Sequence, residues 1–104
     1  MANPYAGEVM LVLDGTRHRL KLTLGALAEL EARLEADSLT TLVARFEGDS
    51  LRARDVLMLV CAGLRGSGWE GDLPDLLQAD IEGGPMEAAR VAARLLALAF
   101  RVPE

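Results

Sequence analysis

A chain of 104 residues can bury roughly two thirds of its unfolded surface in one hydrophobic core, so one domain spanning 1-104 is expected. Apolar residues make up 51% of it but aromatics only 4%, which favours aliphatic packing between helices over a β-sandwich. Eleven basic against sixteen acidic residues leave a formal charge of -5, unsuited to a nucleic-acid backbone, and a single cysteine excludes an internal disulfide and a cysteine zinc site.

The chain opens with the stretch EVMLVLDGTRHRLKL, in which Val9, Leu11 and Leu13 alternate with Met10 and Val12. Asp14-Gly15 then supplies a pair that tolerates the positive φ angles of a tight turn, so a β-hairpin is predicted. On the return strand His18, Leu20 and Leu22 share one face and Arg17, Arg19 and Lys21 the other, because successive side chains alternate. One face should pack on a core and the other meet solvent. A two-stranded ribbon is marginal alone, so the hairpin is expected to close one side of a helical bundle and keep its outer edge available.

Thr23 can cap a first helix with Leu24, Leu27, Leu30 and Leu34 as its apolar stripe and Glu29–Arg33 as a surface pair. Ser38 can cap a second, with Leu39, Leu42, Val43 and Phe46 inward and Gly48 ending it in a left-handed turn. DSLRARD offers several starts for a third helix. VLMLVCAGL has no polar residue to expose, so that helix is expected to be central. RGSGWEGDLPD reads as a loop, after which Asp72 can cap a brief turn with Pro74 in its first positions. IEGGP breaks the chain again, and Pro85 opens a last helix running to about Phe100. On it Glu87, Arg90, Arg94 and Arg101 form a narrow charged stripe, and the apolar remainder exceeds what a small monomer covers. The expected fold class is α+β, an N-terminal β-hairpin followed by a bundle of four to five helices.

Little in this pattern carries chemistry. His18 has no carboxylate or cysteine partner in its own strand, and Cys61 sits in an apolar helix where a thiolate is disfavoured. GLRGSGWEG lacks the lysine and hydroxyl of a phosphate-binding loop and follows a helix. Glu29, Glu31 and Glu35 have the spacing of a solvated helix face. Trp69 can fold over the core or stand out as an interface anchor. Arg17, Arg19 and Lys21 form the one basic ladder, suited to an acidic ligand or to discouraging edge pairing. No catalytic, cofactor-binding or metal-binding residues are expected, hence no enzyme and no cofactor. The longest apolar run, Val56 to Ala62, is far below the roughly 20 residues that span a bilayer. With no signal-peptide pattern either, the cytoplasm is the expected location.

The succession GEVMLVLDGTRHRLKLTLGALAELEARL, ARDVLMLVCAGLRGSG and IEGGPMEAARVAARLLALAF resembles the gene transfer agent family of small phage-tail proteins, also described as tail assembly chaperone-like. The resemblance covers nearly the whole chain. It implies a cytoplasmic, non-enzymatic role in tail morphogenesis, as a chaperone shielding the tape measure protein until tail tube protein polymerises around it. Self-association is expected, and neither nucleic acid nor membrane is an expected partner. Alternatives are a minor structural tail component or adaptor, and a small protein-binding regulator. Spare apolar surface would make the partner contact, with Trp69, Leu96 and Phe100 as candidate residues.

Overall fold

The computed structural model describes residues 7–34, 38–48 and 52–100. Arg101, Glu35 and the Asp49-Ser50-Leu51 part of the stretch before the third helix lie outside the described residues. Strands β1 (Val9–Leu13) and β2 (Thr16–Leu20) form an antiparallel hairpin, with Val9 opposite Leu20, Leu11 opposite His18 and Leu13 opposite Thr16. Asp14 and Gly15 connect them at φ 51 and φ 79, the two left-handed conformations that a two-residue turn matched to strand twist requires. Helices α1 (Leu24–Arg33), α2 (Leu39–Glu47), α3 (Ala53–Gly66), α4 (Leu73–Leu77) and α5 (Gly84–Ala99) follow. Among the described residues the architecture is the expected α+β, a hairpin on five helices.

The predicted alternation holds. Val9, Leu11, Leu13, Leu20 and Leu22 are buried, while Arg17 and Arg19 are exposed on the opposite face. Helix α3 is the axis of the fold: Val56 and every residue from Met58 to Leu64 are buried, with α1, α4, α5 and β2 packed around it. Its glycines set how close the hairpin comes. Lys21 N–H donates to the Gly63 carbonyl at 2.9 Å. A Cβ on Gly63 would meet Leu95 Cδ1 at 2.8 Å and Leu20 Cβ at 3.1 Å, and one on Gly66 would run into the Lys21 carbonyl oxygen. The smallest residue is needed at both crossings.

Capping follows the sequence. Thr23 Oγ1 accepts from Ala26 N–H at 3.0 Å, Ser38 Oγ from Thr41 N–H at 3.2 Å, and Asp72 Oδ1 from Leu73 N–H at 2.8 Å. Thr23→Ala is therefore expected to cost about 1 kcal/mol, read as a lower urea midpoint with an unchanged slope; an unchanged midpoint would deny the cap its role. Two local expectations are corrected. Gly48 ends α2 at φ -97 rather than in a left-handed turn, because its N–H continues the helical pattern to the Ala44 carbonyl at 3.0 Å. Leu24 is 87% exposed although it shares the stripe of Leu27 and Leu30. At about 100° per residue Leu24 stands well round the helix from Leu30 and Leu34, the members of the stripe that are buried.

Two tertiary features have no local signature. Arg45 of α2 grips Asp55 of α3 with both Nε and Nη2 at 3.0 Å, Arg52 adds its backbone N–H and guanidinium at 3.3 Å, and Asp55 is only 1% exposed. Residues 80–82 also run beside β1: Asp14 N–H donates to the Asp80 carbonyl at 2.8 Å, Glu82 N–H to the Val12 carbonyl at 3.1 Å, and Ile81 bridges to Leu13. The expected open edge is thus closed on β1 at the turn end.

Candidate functional site

Helix α5 carries an apolar face on both its inner and its outer side. Glu87 and Arg90 satisfy each other in a forked pair, Nε to Oε1 at 2.8 Å and Nη2 to Oε2 at 2.7 Å, and the Arg90 bond holds the Glu87 carboxyl below its ordinary range. Val91, Ala92, Leu95 and Leu96 turn inward. On the outside, Met86, Ala93 and Phe100 follow one another at seven-residue intervals with Ala97 beside them, and all four are exposed, Met86 at 82% and Phe100 at 46%. Seven residues fall about 20° short of two full turns, so these positions form one seam along the helix. Small alanines between two large apolar ends let another helix approach closely.

Grooves lie beside both ends of the seam. At the N-terminal end, α3, α4 and α5 enclose about 430 Å³ between Val56, Leu57, Leu76, Ile81, Pro85 and Ala88, with Leu77 at the rim 61% exposed. At the other end, α2 and α5 enclose about 350 Å³ between Val43, Phe46, Ala93, Leu96, Ala97 and Phe100. Leu96 and Phe100 therefore share one groove, but unequally: Leu96 is 5% exposed and forms its floor, whereas Phe100 stands at its edge. Trp69 is elsewhere. Partly buried, it is packed against the core, with its ring close to Gly71, and borders a third hollow of about 460 Å³ beneath the hairpin with Thr16, His18, Asp75 and Gln78.

Sequence reasoning passed over Met86 and Leu77. The second carries a usable signal, since Leu76 and Leu77 are adjacent on a helix and stand about 100° apart, so a one-sided core takes one and leaves the other; Leu76 is the buried member at 2%. Met86 has no comparable mark.

The polar side chains act as structural ties. Arg33 Nη2 donates to Asp72 Oδ1 at 2.6 Å, Arg65 Nε to Glu29 Oε1 at 2.6 Å and Arg65 Nη1 to the Gly71 carbonyl at 2.8 Å, fastening the loop after α3 to α1. Cys61 Sγ donates to the same Asp72 oxygen at 3.9 Å, and burial pushes the thiol up, away from the reactive thiolate. Among the described residues no three His, Cys, Asp or Glu side chains are grouped to hold a metal ion, and no helix is long and apolar enough to cross a membrane. The seam and the two grooves beside it are lined mainly by apolar side chains.

Residues 6–102 match the model of a family described as Phage tail tube protein, GTA-gp10. Neither a curated relative nor a solved structure matches the chain.

Proposed function

The chain belongs to the GTA-gp10 family of phage tail tube proteins, and from that premise we propose that it is a non-enzymatic tail assembly chaperone of a gene transfer agent. In this reading several copies coat the tape measure protein in the cytoplasm and keep it soluble until tube subunits assemble around it. The exposed seam of Met86, Ala93, Ala97 and Phe100 carries the reading. From Met86 to Phe100 it runs about 21 Å along α5, the length of four helical turns, which suits a helical client bearing its own apolar stripe. Each such contact is weak, and many copies on one long client gain strength through multivalency.

The test is co-expression with a tape measure protein of the same particle, scored by how much of that client stays soluble. The paired change Met86→Glu and Phe100→Glu lies on exposed positions and should leave the fold intact by circular dichroism. It is expected to lower client solubility at least fivefold. Equal solubility with the folded double variant would remove the seam from the client contact. Leu96 is unsuited to this test, since a carboxylate at its buried position would damage the core.

A second reading is favoured by the description of the family as a tail tube protein: the chain is a structural component retained in the tail, and its seam and grooves contact other copies. Purified particles separate the two. A chaperone is absent or sparse there, and a tube component is present in regular stoichiometry.

A further inference from the structure

The two edges of the hairpin differ. With Leu13 opposite Thr16 across a two-residue turn, the backbone groups of Thr16, His18 and Leu20 point into the ladder and those of Arg17 and Arg19 point outward. The same geometry turns Val12 outward on β1, where its carbonyl accepts from Glu82, and Lys21 outward at the end of β2, where its N–H reaches Gly63. Among the described residues the outward N–H and C=O groups of Arg17 and Arg19 have no backbone partner. This stretch is an open place in the sheet.

Its surroundings are specific. Above the ladder stand the exposed side chains of Arg17 and Arg19, with Lys21 next on the same face, three of the eleven basic residues of a chain whose net charge is -5. One carboxylate, Glu8, lies 4.0 Å from Arg19 Nη1 there and leaves the face with an excess of positive charge. Below it, Thr16 and His18 face the hollow of about 460 Å³ bordered by Trp69 and Gln78. A strand laid here would send alternate side chains to the cationic face and into the hollow. A second copy pairing β2 with β2 would set arginine against arginine, a directly destabilising arrangement. The charge pattern instead selects carboxylates.

We propose that the open edge of β2 accepts an extended acidic segment of a partner protein as a third strand. Backbone bonds to Arg17 and Arg19 supply adhesion, carboxylates opposite their guanidinium groups set register, and the residues between them fill the hollow beside Trp69. The remaining surface, with its excess of acid, repels the same segment and confines it to this edge. Arg17 and Arg19 are on β2 and share no residue with the α5 seam, so loss of either contact leaves the other intact.

The experiment titrates the full chain at low salt with an eight-residue peptide alternating Glu and Val, following calorimetric heat and the emission of Trp69, the one tryptophan. Saturable binding with a shift in Trp69 emission is expected. Replacing every Glu of the peptide by Lys should weaken it at least tenfold. So should N-methylation of one alternate set of its backbone nitrogens, while methylating the other set has little effect. Arg17→Glu with Arg19→Glu should lose at least tenfold toward the Glu peptide and gain toward the Lys peptide. Because both arginines are exposed, the folded state of this variant is checked by its circular dichroism. No binding by the natively folded protein overturns the proposal, as does equal binding of both N-methylated forms and the parent, indifference to the charge reversal, or preference for duplex DNA over the peptide.

Discussion

Asp55→Ala is expected to lower the unfolding free energy by about 3–5 kcal/mol, the usual consequence of removing one partner of a buried ion pair. Asp55 is 1% exposed and receives both arms of Arg45 at 3.0 Å, so its loss leaves the Arg45 guanidinium partly desolvated at the α2–α3 junction. It also removes the acceptor for the Arg52 N–H at the start of α3. Replacing Asp55 by Leu together with Arg45 by Met should cost less than Asp55→Ala alone, because no charge is then stranded at that junction. Dependence on pH gives an independent check. Burial pushes the Asp55 carboxyl up, but bonds from Arg52 and Arg45 outweigh it and hold the group below its ordinary 3.8. A depressed folded value means that this contribution is complete above pH 3.8 and fades as pH falls through the lower folded value. The gap between wild type and Asp55→Ala in urea unfolding should therefore be constant from pH 7 to 5 and shrink below about pH 4. A gap under about 1 kcal/mol at pH 7 would mean that α2 is held by its apolar residues alone.

Gly66→Ala is expected to cost about 2–3 kcal/mol by overpacking. The added methyl has no rotamer to choose: it runs into the Lys21 carbonyl oxygen and stands 3.2 Å from Ala26 Cβ. Relief requires α3 to withdraw from the strand end, which also strains the bond from Lys21 N–H to Gly63. Gly25→Ala is the matched control. It lies in α1 with only Thr23 Oγ1 at 3.9 Å, so the better helix propensity of alanine is expected to add about 0.5 kcal/mol. Thermal or urea unfolding of both variants reads the contrast. Equal stability of the two would show that the hairpin does not rest on α3 at this distance.

Most features that depend on neighbours in sequence are legible there, the end of α2 at Gly48 being an exception. The Asp14-Gly15 turn, the Thr23, Ser38 and Asp72 caps and the central place of α3 all follow from rules that act over a few residues. What escaped depends on residues that meet only after folding. Asp55 looks like an ordinary first-turn acid until α2 brings Arg45 to it. Leu24 belongs to an apolar stripe, yet at about 100° per residue it stands well round the helix from the buried Leu30 and Leu34 and stays outside. On α5 the excess apolar area is legible in the sequence, and with it the exposed Phe100. A helix apolar around most of its circumference does not say which side its own fold will cover, which is why Leu96 is a floor and Met86 a knob. The sequence leaves Trp69 open as cover or anchor; in the fold it packs against the core and borders an open hollow.

The cover of β1 comes from far downstream: Asp80 N–H reaches Asp14 Oδ1 at 2.9 Å across a sequence separation of 66. During synthesis the hairpin leaves the ribosome before residues 80–82 and can form within microseconds, whereas those residues emerge seconds later at the usual pace of translation. For that interval the nascent chain carries a ribbon with both flanks bare, the period in which it is most exposed to mispairing with a neighbouring polypeptide.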